Sequence, residues 1–233
     1  MSQSVQVWQV PLAVSEETLR AYEGCLSVDE RSRADRFHFP DDRRRYIVAR
    51  GTLRHLLGRR LEHAPKEIEF CYGEYGKPSI VSDRVAAGDA GNCNFHFNVS
   101  HSGELALCAL SGHRRVGVDI EKLKSIQRLD SMMERCLSQY ELSQVKNEPD
   151  QAHAFLQRWT CKEAYLKAIG LGLSQSMQAV EFEISPLKLI RLPQDCASGW
   201  QLHPIKNVPE SYVGALVTEG EAAVTFSTWQ HVG

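Results

Sequence analysis

Near its middle the chain carries two apolar runs, Leu105 to Leu110 and Val116 to Glu121, separated by Ser111-Gly112-His113-Arg114-Arg115. Both read as strands, and the short polar connection predicts that they pair as a hairpin. That turn falls at the midpoint, which divides the chain into residues 1–112 and 113–233. On the first side, Val5 to Val10 alternates like a strand and Ser15 caps a helix through Cys25. A longer helix starts at Pro40, with Tyr46, Ala49, Leu53, Leu56, Leu57 and Leu61 as its apolar stripe and Pro65 closing the region. Ile68 to Tyr72 reads as a strand leading into the turn Gly73-Glu74-Tyr75-Gly76-Lys77-Pro78, and residues 82–93 read as a loop. On the second side, Leu129 to Leu137, Gln139 to Val145 and Asp150 to Ile169 read as helices. Val180 to Ile184, Trp200 to Pro204, Tyr212 to Val217 and Ala223 to Trp229 read as strands. Each half therefore mixes helices with a small, mainly antiparallel sheet, an α+β plan.

A chain of 233 residues with 42% hydrophobic content can bury a sizeable core. No segment reaches the run of about 20 apolar residues that spans a membrane, and Met1 to Ser15 lacks a basic flank followed by an apolar stretch. The expected location is the cytosol. Seven cysteines, at 25, 71, 93, 108, 136, 161 and 196, form no C-x-x-C pair and read as reduced structural thiols. The net charge of -2 conceals a basic block, because Arg31 to Arg60 holds ten arginines against three aspartates and no lysine or glutamate. The balanced total and the absence of a nucleic-acid-binding motif argue against a nucleic-acid partner. Arg43, Arg50 and Arg54 fall off the helix stripe and read as a solvated face, from which a few arginines can reach an anionic ligand.

The chemistry lies in three segments. In Gly117-Val118-Asp119-Ile120-Glu121, residues i and i+2 of a strand share a face, so Asp119 and Glu121 can share an ion while Val118 and Ile120 enter the core and Gly117 leaves space beside the acids. An oxygen-only acidic set favours Mg²⁺, which keeps waters and substrate phosphate oxygens in its shell. In Trp159-Thr160-Cys161-Lys162-Glu163-Ala164-Tyr165-Leu166-Lys167, Glu163 and Lys167 are neighbours one helical turn apart, a spacing that surface ion pairs also show. Seated by Trp159 and Leu166, with Gly170 and Gly172 permitting a tight exit, Glu163 can close the metal site and Lys167 can meet a phosphate. The third segment, Phe97-Asn98-Val99-Ser100-His101-Ser102-Gly103, has no nucleophile-elbow setting for Ser100, and its density of donors suits His101 to anionic oxygens.

These three ordered segments resemble the motifs of the Sfp-type 4′-phosphopantetheinyl transferases, and Asp35-Arg36-Phe37 with Tyr75-Gly76-Lys77-Pro78 extends the resemblance over residues 25–175. The resemblance implies a pseudo-twofold pair of α+β subdomains with the substrate between them. It implies transfer of phosphopantetheine from coenzyme A to a serine of an acyl or peptidyl carrier protein, releasing adenosine 3′,5′-bisphosphate. By matching position, Asp119, Glu121 and Glu163 would bind Mg²⁺, and Glu163 or a metal-bound water would take the serine proton. Lys167 and His101 would bind coenzyme A phosphates, with Lys77 and Arg33 as further basic contacts. Tyr75, Gly76 and Pro78 would lie against the adenosine, and Asn98 and Ser100 belong to the binding segment. Glu30 departs from the pattern, since relatives can carry a basic residue there. A cleft built by one chain implies a monomer.

Overall fold

The structure is a computed structural model that describes residues 4–81, 95–170, 176–192, 199–205 and 207–231. The expected loop at 82–93, Gly172, Cys93 and Cys196 lie outside these residues. The elements of the first half are β1 (Val5–Pro11), α1 (Glu16–Cys25), α2 (Val28–Ala34), α3 (Pro40–Leu61), β2 (Phe70–Tyr72), β3 (Pro78–Ile80), β4 (His96–Ser102) and β5 (Leu105–Ser111). After β6 (Val116–Lys122) come α4 (Leu129–Cys136), α5 (Gln139–Lys146), α6 (Gln151–Ile169), β7 (Glu181–Ile184), β8 (Leu187–Arg191), β9 (Trp200–Pro204), β10 (Tyr212–Glu219) and β11 (Val224–Thr228). Ser15 caps α1 by accepting the Thr18 amide at 3.2 Å, as its position before two glutamates predicts. Helix α2, with Ser27 and Glu30 forming a capping box, was not expected from the sequence, and neither were the short strands β3 and β8.

The expected hairpin across Ser111–Arg115 does not form. Strand β5 has β1 on one side and β4 on the other, while β6 pairs antiparallel with β10, so the connection carries the chain from one sheet to a second. The first sheet has the order β11-β1-β5-β4 and the second β6-β10-β9. All seven residues of β5 are buried, so the apolar run marked a central strand without naming its neighbours. Strand β11, from the end of the chain, joins β1 in parallel, and Trp229 just beyond it is 1% exposed in the first core.

Strand alternation builds the layers. Ala106, Cys108 and Leu110 of β5 face α3 in one core, whereas Leu105, Leu107 and Ala109 meet Val116, Val118 and Ile120 of β6 in another. Beyond the second sheet, Ala215 and Val217 of β10 pack on Ala164, Tyr165 and Ala168 of α6. The order is thus α3, first sheet, second sheet, α6. No described helix is long and apolar enough to cross a membrane. Cys108 and Cys161 are buried free thiols whose burial pushes their pKa up to about 12, so both are unreactive packing groups.

Candidate active site

Strand β6 sends Val116, Val118 and Ile120 into the core between the sheets, which leaves Gly117, Asp119 and Glu121 on the side of α6. Gly117 serves the helix itself: a Cβ there would stand 2.0 Å from the Ala164 carbonyl oxygen and 2.4 Å from the Ala168 nitrogen. The backbone of α6 therefore lies directly on β6, and the space expected beside the acids is filled by helix. Asp150 caps the start of α6 and Gly170 ends it in the left-handed conformation at φ 80°.

The edge strand β6 runs alongside β4 in the same direction, and side chains replace the missing ladder between them. Asn98 Oδ1 accepts the Val118 amide at 2.9 Å and Ser102 Oγ accepts the Lys122 amide at 3.1 Å. Ser100 Oγ donates to Asp119 Oδ1 at 2.6 Å, and Ser102 Oγ donates to Glu121 at 2.7 Å. Asn98, Ser100 and Ser102 alternate on one face, so period-two reading of the segment could have found Ser102 as a partner of Glu121. Asn98 and Ser100 are thereby fixed parts of the seam that holds the two sheets together.

From α6, Trp159, Glu163 and Lys167 project at four-residue intervals into a cleft of about 320 Å³ that Val99, Ser100, His101, Asp119 and Glu121 also line. Lys167 turns away from the surface pairing that its spacing allowed. Its ammonium donates to Asp119 Oδ1 at 2.6 Å and to Ser100 Oγ at 2.9 Å, with the Val118 carbonyl at 3.5 Å. Burial, then the charges of Asp119 and Glu121, raise the pKa of Glu163 against the opposing pull of Lys167. Burial likewise raises that of Glu121, and Asp119 adds to it, while the hydrogen bond from Ser102 works the other way. His101 stands at the rim with its surface partly open, and the dense protein around it together with Lys167 holds its imidazole below the ordinary value.

Among the described residues, no group of three or more His, Cys, Asp or Glu side chains is gathered closely enough to hold a metal ion as it stands. The donor chemistry nevertheless suits a hard cation. Three carboxylates from two elements share the cleft, the charge of Asp119 raises the pKa of both Glu121 and Glu163, and the buried Asp119 Oδ2 has no hydrogen-bond partner.

The first half contributes less directly. Tyr75 is 50% exposed, Gly76 takes φ 76° in the turn, and Pro78 starts β3. Lys77 turns inward and donates to the carbonyls of Lys167 and Ala168 at 2.7 and 2.8 Å; burial, with Arg115 nearby, lowers its pKa to about 8. Arg33 is exposed, its guanidinium 5.7 Å from the centre of the Tyr46 ring. Arg54 corrects the expectation of a solvated arginine face. It is 1% exposed, bonds Glu30 at 2.6 Å, and also donates to the Pro65 and Ile68 carbonyls. Glu30 takes Arg50 as well, so the acid that departs from the expected pattern is a buried counter-ion.

The comparisons divide at the same place as the topology. Residues 11–113 match the family described as 4′-phosphopantetheinyl transferase, N-terminal, and residues 115–217 match the 4′-phosphopantetheinyl transferase superfamily. The 4′-phosphopantetheinyl transferase HetI of Nostoc sp. is 37% identical over 99% of this chain and 91% of its own length. The chain belongs to the 4′-phosphopantetheinyl transferase superfamily. The transferase is also 30% identical to the 4′-phosphopantetheinyl transferase Sfp of Bacillus subtilis, over 78% of this chain and 73% of that one. It is thus an enzyme that moves the phosphopantetheinyl group from coenzyme A to an apo carrier protein, on two similar α+β halves in pseudo-twofold arrangement.

Proposed function

We propose that the cleft between β4, β6 and α6 carries out a Mg²⁺-dependent transfer of 4′-phosphopantetheine to a serine of an acyl or peptidyl carrier protein, releasing adenosine 3′,5′-bisphosphate. The observation that supports it is the convergence of Asp119, Glu121 and Glu163 with Lys167 on one cleft. Asp119, Glu121 and Glu163 would hold the ion, which when bound supplies positive charge to the diphosphate. The serine oxygen forms a bond to the phosphorus that carries pantetheine, and the bond from that phosphorus to the bridging oxygen breaks, leaving the electron pair on adenosine bisphosphate. Glu163, whose carboxylate lies in the same cleft, would receive the serine proton. Lys167 sets charge against the nonbridging oxygens, and Ser100 and Asp119 fix its ammonium before substrate arrives. His101 and Arg33 would contact phosphates, Tyr75, Gly76 and Pro78 would lie against the adenosine, and Asn98 would hold the binding strand in register. The transferase would act as a cytosolic monomer with its subdomains divided at residues 112 and 113, the end of the chain returning to the first subdomain through β11.

Incubating the protein with coenzyme A, Mg²⁺ and a panel of apo carrier proteins should add the mass of phosphopantetheine to the carrier serine. No mass shift across acyl and peptidyl carriers would reject the proposal. Chelating the metal should abolish the shift, and Mg²⁺ should restore it.

A further inference from the structure

The last four carbonyls of a helix have no partner within it. In α6 two of these, on Lys167 and Ala168, accept hydrogen bonds from the same ammonium, that of Lys77 in the turn between β2 and β3. The contact joins residues 90 and 91 positions apart in the chain. Gly170 completes the seat, since a Cβ there would come within 3.2 Å of Lys77 Cδ. A cation at this end also opposes the negative pole of the helix. The residue whose main chain Lys77 holds is the one whose side chain bonds Asp119 and Ser100 inside the cleft.

We infer that Lys77 is a positioning residue that clasps the C-terminal end of α6 and so fixes Lys167 in the cleft, instead of serving as a phosphate ligand. Tyr75, Gly76 and Pro78 belong to the same turn, so this clasp ties the segment proposed to meet adenosine to the lysine proposed to meet the reacting phosphates. The link rests on the transfer reading for its catalytic consequence and on geometry alone for its existence. A residue held from both its main chain and its side-chain tip has little freedom to drift, and small misplacements of such a group are costly in rate.

Two variants test it. Lys77→Met keeps the length of the side chain and removes its donors, and Lys77→Arg keeps charge and donors. Lys77→Met should lower kcat roughly tenfold with both coenzyme A and 3′-dephospho-coenzyme A, leaving the ratio of their kcat/KM values unchanged. Amide hydrogen exchange at residues 166–170 should speed by about tenfold in the free protein, because the last turn frays. Lys77→Arg should recover most of both. A Met variant with normal kcat and exchange that no longer discriminates between the two donors would show Lys77 to be a direct 3′-phosphate ligand and overturn the clasp. Unchanged exchange at the end of α6 would overturn it equally. The exchange measurement needs no substrate, so it decides the clasp even if the protein transferred nothing.

Discussion

On α3, Arg50 and Arg54 turn inward to one carboxylate, Glu30 of α2; on α6, Glu163 and Lys167 turn to a cleft shared with two strands. Both helices bury a broad face against a sheet, and both carry charge on it. The difference is in how far that charge is satisfied. Burial pushes the Glu30 carboxyl up, but Arg50 and Arg54 more than offset it and hold it below the ordinary range. Burial also pushes Glu163 up, and there Asp119 and Glu121 add to the shift, so that the single opposing charge of Lys167 does not offset it. The contrast recurs within α6 itself. Lys162, next to Glu163 and fully buried, bonds Glu141 at 2.7 Å and the Met177 carbonyl at 2.8 Å, with the Val180 carbonyl completing its shell. Satisfied charges of this kind hold elements together, whereas opposed acids store a preference for a cation.

Breaking the satisfied side should give the largest effect. Glu30→Gln leaves Arg54 charged, buried and without its counter-ion, which should cost about 3 to 5 kcal/mol in urea unfolding. The folded fraction should keep its transfer activity, because Glu30 lies outside the cleft lining. An activity loss larger than the loss of folded protein would give Glu30 a part in the reaction.

Glu163→Gln should do the opposite. Turnover should fall by roughly 10² to 10³, while the metal-free protein melts higher by a few degrees, about 2 to 4 °C for each kcal/mol of relieved repulsion. The two acids also leave opposite marks on pH dependence. The depressed pKa of Glu30 contributes stability that is present above the ordinary glutamate value and lost as pH falls through the folded value. The raised pKa of Glu163 means that the folded protein binds more protons than the unfolded chain just above the ordinary value, so stability falls as pH rises through that window. Melting curves across pH should therefore lose their acid limb in Glu30→Gln and flatten on the less acidic side in Glu163→Gln. A lower melting temperature for Glu163→Gln without metal would break the comparison.

The smallest effect belongs to the outer face of α3. Arg44 pairs with Glu16 where the glutamate side chain is 66% exposed, so Arg44→Ala should change stability by only about 0.2 to 1 kcal/mol, and less at high salt. A cost as large as that of Glu30→Gln would erase the distinction between buried and exposed arginines on this helix.

Periodicity made much of this protein legible. The long helices, the edges of β1, β9, β10 and β11, and the shared face of Asp119 and Glu121 could be reached from residue order, because backbone geometry repeats every 3.6 or 2 residues; that the three chemical segments share one cleft was implied by the family resemblance and not by periodicity. Partners of β5 and β6 could not. An apolar run states that a strand is buried but is silent about its neighbour, and the hairpin reading failed where a sheet change requires the same short turn. Charge was hardest to assign. Arg54, off the apolar stripe, is buried because Glu30 reaches it from another helix, and Lys77 meets α6 across 90 residues of sequence. Sequence by itself determined the chemical groups and the faces on which they lie. Only the tertiary structure decided which charges are neutralised inside the protein and which remain opposed in the cleft, because Coulomb energy and desolvation depend on distances that local order does not contain.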